Sequence, residues 1–81
     1  MTTLADLRVG DRAAVVEVDG VDETSLRLME MGLTPGVEVE LLGVAPLGDP
    51  LEFELRGYRL SLRRAEARRI KALPAANGSG G

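Results

Sequence analysis

Arg27-Leu28-Met29-Glu30-Met31-Gly32-Leu33-Thr34-Pro35-Gly36 is the stretch that decides the fold. It reads as the end of a short amphipathic helix, a stop and a tight turn. Gly32 suits the left-handed residue that closes a helix, and Leu33 can fold apolar contact back onto the last turn. Pro35-Gly36 sets the turn, with proline fixing φ and glycine free to take positive φ. The alternating run Val37-Glu38-Val39-Glu40-Leu41 follows at once. Helix, stop, turn and strand in such close succession suit a small barrel whose helix plugs one end.

Upstream, Thr3-Leu4-Ala5-Asp6-Leu7 reads as a turn that docks Leu4 and Leu7. Val9-Gly10-Asp11 leads into a first strand over 12–18. Ala14, Val16 and Val18 share one face of it and Ala13, Val15 and Glu17 the other, with Val16 the expected core member. Asp22 is the expected helix N-cap, and Glu23 suits the positive helix end. On a helical wheel Val21, Ser25, Leu28, Met29 and Met31 form one arc. Glu23, Arg27 and Glu30 lie opposite, and Leu26 falls at the arc's edge.

Downstream, a second strand is expected over 37–45. The loop Pro46–Pro50 leaves Leu47 as an isolated apolar residue among the turn formers Pro46, Gly48, Asp49 and Pro50. Leu51, Phe53 and Leu55 then alternate with Glu52, Glu54 and Arg56, and Tyr58, Leu60 and Leu62 with Arg59, Ser61 and Arg63. A two-residue turn at Arg56-Gly57 sets Leu55 opposite Tyr58 and Glu54 opposite Arg59. A helical turn over 64–69 and a closing strand over 70–73 complete the pattern.

The expected fold is therefore mainly β, a small SH3-like barrel of about five strands. One short helix follows the first strand and a helical turn precedes the last. An OB-like barrel is the alternative, since it closes five strands around a similar core. The core is expected to hold Val16, Leu28, Val39, Leu41, Phe53, Leu55, Leu60, Leu62 and Ile70. The domain spans 1–73. Residues 74–81, ending Asn77-Gly78-Ser79-Gly80-Gly81, carry no apolar periodicity and read as a disordered tail.

With 81 residues, one domain buries roughly 60% of its unfolded surface, a thin core. There is no cysteine and no histidine. That excludes disulfides, thiolate or imidazole catalysis, and zinc sites built on those ligands. Asp22 and Glu23 are explained by a helix cap, and Glu52 and Glu54 by a strand face that meets water and Arg59. Gly43, Gly48 and Gly57 are separate turn residues, not a phosphate-cradling loop. Neither an enzyme nor a cofactor is expected. Met29 and Met31 sit at helical core spacing, and no metal site is expected. No signal peptide and no apolar run long enough to span a bilayer is visible, so the expected location is the cytoplasm.

The net charge of −3 hides an asymmetry. Residues 1–55 carry twelve acids against three bases, and 56–81 one acid against seven bases. The plain reading spreads these charges over solvated strand faces. The sharper one is a basic edge for an acidic partner or nucleic acid. Single-strand binding also wants aromatic platforms, and both aromatics, Phe53 and Tyr58, fall at inward positions. Specific nucleic-acid recognition is therefore not expected, although a small-barrel nucleic-acid module remains the runner-up.

The stretch 27–36 resembles the R-L-x-x-x-G-L-x-P-G signature of the ferrous iron transport protein A family, FeoA. Ala45-Pro46-Leu47-Gly48-Asp49-Pro50 resembles that family's A-P-x-G-D-P loop. Gly57-Tyr58-Arg59-Leu60-Ser61-Leu62-Arg63 with Glu66-Ala67 resembles its G-x-x-L-x-L-R…E-A ending. Three such motifs in register over nearly the whole chain are specific. The resemblance implies the SH3-like form. It also implies a cytosolic, non-catalytic accessory of FeoB, a membrane ferrous iron permease with a cytosolic GTPase domain. The same domain occurs at the end of iron-dependent repressors, but a chain that begins with the barrel is expected to stand alone.

The expected contact surface is the helix edge and the 45–50 loop: Leu26, Arg27, Met29, Leu33, Pro46, Leu47 and Asp49, with Leu26 and Leu47 as apolar anchors. Leu28, Met31, Gly32, Pro35, Gly36, Gly48, Pro50 and Gly57 are expected to serve the fold. Open strand edges along Ile70 to Leu73 give a route to homo-oligomers.

Overall fold

The computed structural model describes residues 2–75. It contains β1 (Thr2–Thr3), a 3-10 turn (Leu4–Asp6), β2 (Arg12–Val18), α1 (Glu23–Glu30), β3 (Glu38–Val44), β4 (Leu51–Leu55), β5 (Tyr58–Leu62), α2 (Arg64–Ala67) and β6 (Ile70–Pro74). The strands form one antiparallel sheet in the order β1-β6-β2-β3-β4-β5. Two register shifts, between Val15 and Glu17 and between Leu41 and Gly43, bend it. Its inner residues meet in one core with Leu28 of α1 and Ala67 of α2. This is the SH3-like barrel.

The helix stop is built as its residues dictate. Gly32 takes φ 107°. Its N–H donates to Met29 O at 3.0 Å, and Leu33 N–H donates to Leu28 O at 3.3 Å. These are the two bonds of a Schellman cap, and the apolar pair that accompanies it is Leu28 with Leu33, both fully buried. Val37 N–H then donates to Thr34 O at 3.1 Å across Pro35-Gly36. At the other end of the helix the Asp22 carboxylate accepts from Ser25 N–H at 3.1 Å, while Ser25 Oγ donates back to Asp22 O at 2.9 Å. Ser25 is thus a buried polar residue with its hydroxyl satisfied.

The hairpin register is as expected: Leu55 pairs with Tyr58 and Glu54 with Arg59. Arg56 and Gly57 both take positive φ, 52° and 85°, the geometry of a two-residue hairpin turn.

Several expectations are corrected. Among the described residues there are six strands, because Thr2–Thr3 pairs with Ala72 and Lys71 of β6. β6 is consequently interior, flanked by β1 and β2, and 70–73 is not an open edge. Val16 is not a core residue. Ala13 and Val15 point inward, the bulge leaves Val16 as the unpaired extra residue, and Val18 packs against the core beyond it. Leu60 packs at the core margin only. Val21 precedes the N-cap, so it belongs to no helical face and is fully exposed. β6 runs one residue past the expected strand 70–73, to Pro74, and Ala75 N–H donates to Arg12 O at 2.8 Å. The remainder of the expected tail, 76–81, lies outside the described residues.

Candidate partner-binding surface

α1 offers the first half of the surface. Leu26 is 55% exposed, Val21 stands free before the helix, and Met29 is at the margin of exposure. Together with Gly20 and Ser25 they line a shallow groove of about 370 Å³. The helix is held to the core by the fully buried Leu28. Beside the groove mouth, Asp22 receives both Arg69 guanidinium nitrogens at 2.7 Å. This bidentate pair, with help from Ser25 N–H, holds the Asp22 carboxyl well below the usual carboxylate range and pushes Arg69 up.

The 45–50 loop offers the second half. Leu47 is 96% exposed at its tip, next to exposed Pro46. The loop is closed by Ala45 N–H donating to Pro50 O at 3.0 Å and Gly48 N–H donating to Ala45 O at 2.7 Å. Its base is clamped by Arg64. The Arg64 guanidinium donates to Gly48 O from Nε at 3.2 Å and to Ala5 O at 3.2 Å, and Arg64 N–H donates to Asp49 Oδ1 at 2.8 Å. Nothing local in the sequence marks Arg64 for this role, since its three acceptors lie in two distant segments.

α2 stands between the two halves. Glu66 accepts from Arg63 N–H at 2.9 Å and, through its other oxygen, from Arg27 of α1. Among the described residues no hydrogen bond or ion pair joins α1 directly to the loop. A separate polar groove of about 340 Å³ lies at α2, lined by Asp49, Pro50, Ser61, Arg63 and Glu66.

The expected contact residues therefore divide. Leu26, Met29, Pro46 and Leu47 are at the surface. Arg27 and Asp49 are exposed but carry the fold, one in the pair with Glu66 and the other as the acceptor at α2. Leu33 is withdrawn from the surface: it is fully buried, because the Schellman cap turns it onto Leu28. Val21, expected within the packed arc, joins the exposed group instead. Its place before the expected N-cap was the available signal.

Tyr58 is also corrected. It is 45% exposed, and its hydroxyl donates to Met31 O at 2.7 Å, which ties the hairpin to the helix stop. Two of the seven bases in the basic third, Arg69 and Lys71, are paired with acids among the described residues. Lys71 meets Glu17 at 3.3 Å and Asp19 at 3.4 Å, which raises its pKa, and Arg69 meets Asp22. Among the described residues no three carboxylates converge to hold a metal ion. No helix among them is long and apolar enough to cross a membrane.

Fold and surface together define a small SH3-like β domain with exposed apolar side chains on α1 and on the 45–50 loop. The chain belongs to the FeoA family, whose FeoA domain model matches residues 2–73. It is 37% identical over 68 residues to the Fe(2+) transport protein A/Fe(2+) transporter FeoB fusion protein of Porphyromonas gingivalis; that match covers 84% of this chain and 8% of the fusion protein. The FeoA protein of Chlorobium tepidum, solved by NMR, is 39% identical with a TM-score of 0.86, covering 98% of this chain and 75% of that one. The zinc-complexed FeoA of Stenotrophomonas maltophilia, described as an SH3 domain protein, is 32% identical with a TM-score of 0.78, covering 89% of each chain. A manganese-dependent transcriptional repressor shares the fold at 16% identity and a TM-score of 0.83, covering 91% of this chain and 36% of the repressor.

Proposed function

We propose that this FeoA-family domain is a non-catalytic accessory of ferrous iron uptake that works in the cytoplasm. It acts by contact with the cytosolic part of FeoB. The observation that carries this reading is the Porphyromonas gingivalis relative, in which an FeoA and an FeoB sequence form one chain. Covalent linkage raises the effective concentration of two parts that act on each other.

The contact surface is the α1 edge, Val21, Leu26 and Met29, with Leu47 on the loop beyond α2. Exposed apolar side chains grouped beside a groove mark an interaction surface more often than scattered ones do. Arg64 and Glu66 hold the two halves at fixed positions on either side of α2. Burying Leu26 and Leu47 against a partner recovers apolar area that the isolated domain leaves in water, whereas arginine and lysine residues already paired with acids add little.

The test pairs melting with pull-down by the cytosolic domain of FeoB. Leu26→Glu and Leu47→Glu are expected to melt like the parent and to lose binding, while Arg68→Ala retains it. Folded glutamate variants that bind as well as the parent would sink this surface assignment. Unfolding of either would make that leucine a core residue.

A further inference from the structure

Among the described residues β5 is an open edge of the sheet, paired with β4 alone. Leu55 and Tyr58 close a two-residue hairpin, so they exchange both backbone hydrogen bonds. Alternation then makes Phe53–Leu60 and Leu51–Leu62 the other hydrogen-bonded pairs. Arg59 and Ser61 must therefore turn their N–H and C=O groups away from β4. Neither residue makes any other backbone hydrogen bond among the described residues, and both are exposed. The free run stops at Arg63, whose N–H is taken by Glu66.

The charge along this edge has one sign. Arg56, Arg59 and Arg63 form no ion pair among the described residues, whereas Arg12, Arg27, Arg69 and Lys71 do. Across the outer face the paired positions run Arg12, Glu40, Glu54, Arg59 from β2 to β5. Among the described residues the ladder thus ends on an arginine with no strand beyond it. On its paired side, β5 already lies against a strand that alternates acid and apolar residues, Leu51-Glu52-Phe53-Glu54-Leu55.

We propose that β5 accepts an extended acidic segment of a partner protein as an added strand. Main-chain bonds to Arg59 and Ser61 supply the attachment, and a carboxylate opposite Arg59 fixes the register. A second copy of β5 is a poor occupant, because pairing two such edges lines up both sets of arginines. This edge is distinct from the α1 groove, and its use does not depend on the FeoB reading.

The probe is a capped peptide of alternating valine and glutamate, added to the full chain labelled for NMR. Amide exchange at Arg59 and Ser61 is expected to slow about tenfold or more at saturation, with Leu26 unchanged. A lysine-for-glutamate peptide and a peptide N-methylated at alternate amides are expected not to bind. Arg59→Glu, checked by its melting curve, is expected to weaken the acidic peptide several-fold and to favour the lysine peptide. Arg63→Gln provides a milder second variant. Unchanged exchange at Arg59 and Ser61, equal binding of both peptides, or protection confined to α1 would overturn the proposal. So would slowed exchange at β5 caused by self-association of the chain without peptide.

Discussion

Gly32→Ala tests the joint between α1 and the hairpin, and its cost can be worked from the structure. Gly32 sits at φ 107°, where an L-residue is strained by about 1–2 kcal/mol. A Cβ added there would lie 2.5 Å from the Tyr58 hydroxyl oxygen and 3.4 Å from a Leu55 methyl. Tyr58 is half-exposed, so it can swing away, and the clash costs no more than the hydrogen bond it makes to Met31 O, about 0.5–1.5 kcal/mol. The sum is about 1.5–3.5 kcal/mol, which for a domain of this size lowers Tm by roughly 6–28 °C.

Tyr58→Phe alone removes only the hydrogen bond. In that background the alanine Cβ meets the ring at 3.8 Å, an ordinary contact, so only the backbone strain remains. Urea unfolding of the four proteins in this cycle is therefore expected to be sub-additive by about 0.5–1.5 kcal/mol. Strict additivity would show that the hydroxyl does not lie against Gly32. An unchanged midpoint for Gly32→Ala would show that the helix does not end in a left-handed residue.

Leu28→Ala is expected to cost about 2–5 kcal/mol, since Leu28 is fully buried under α1, and a thermal melt that does not move would remove it from the core. The Asp22 carboxyl is held below its ordinary value by Arg69, so its stabilisation is present above the unfolded-state pKa of about 4 and is lost as pH falls toward the folded value. Asp22→Asn should thus melt lower than the parent at neutral pH, with the gap narrowing in acid; a gap independent of pH would contradict the ion pair. Anaerobic calorimetry with ferrous iron or zinc should show only weak, salt-sensitive uptake, and stoichiometric micromolar binding would refute that. Binding to single-stranded nucleic acid should be electrostatic and fade by physiological salt, because Arg69 and Lys71 are already paired with acids. Sequence-selective binding that persists at that salt would favour a nucleic-acid module instead.

The sequence by itself determined the pieces whose causes are local. Gly32, Leu33 and Pro35-Gly36 specify a stop and a turn through backbone conformations that few other residues adopt. Arg56-Gly57 and the flanking alternation specify the β4–β5 register, because partner and turn lie within a dozen residues. Asp22 specifies the start of α1 by accepting from an N–H three residues on. In the candidate surface, Leu26 and Leu47 were legible for the same reason: one sits at the edge of a helical arc and the other is isolated among turn formers.

Tertiary structure alone decided what depends on residues distant in the chain. Thr2–Thr3 becomes a strand only because Lys71 and Ala72 lie beside it. The inner row passes from Ala13 and Val15 to Val18 instead of Glu17 because the register against β6 shifts between Val15 and Glu17, a choice made by the partner strand. Tyr58 leaves the core because the Met31 carbonyl at the helix end is within reach of its hydroxyl. Leu47 is held at a fixed height by Arg64, whose acceptors come from residues 5 and 48. Local periodicity encodes which way a side chain faces within its own element, but a bulge, a cross-chain hydrogen bond or a shared ion pair is selected only when two distant segments compete for the same space.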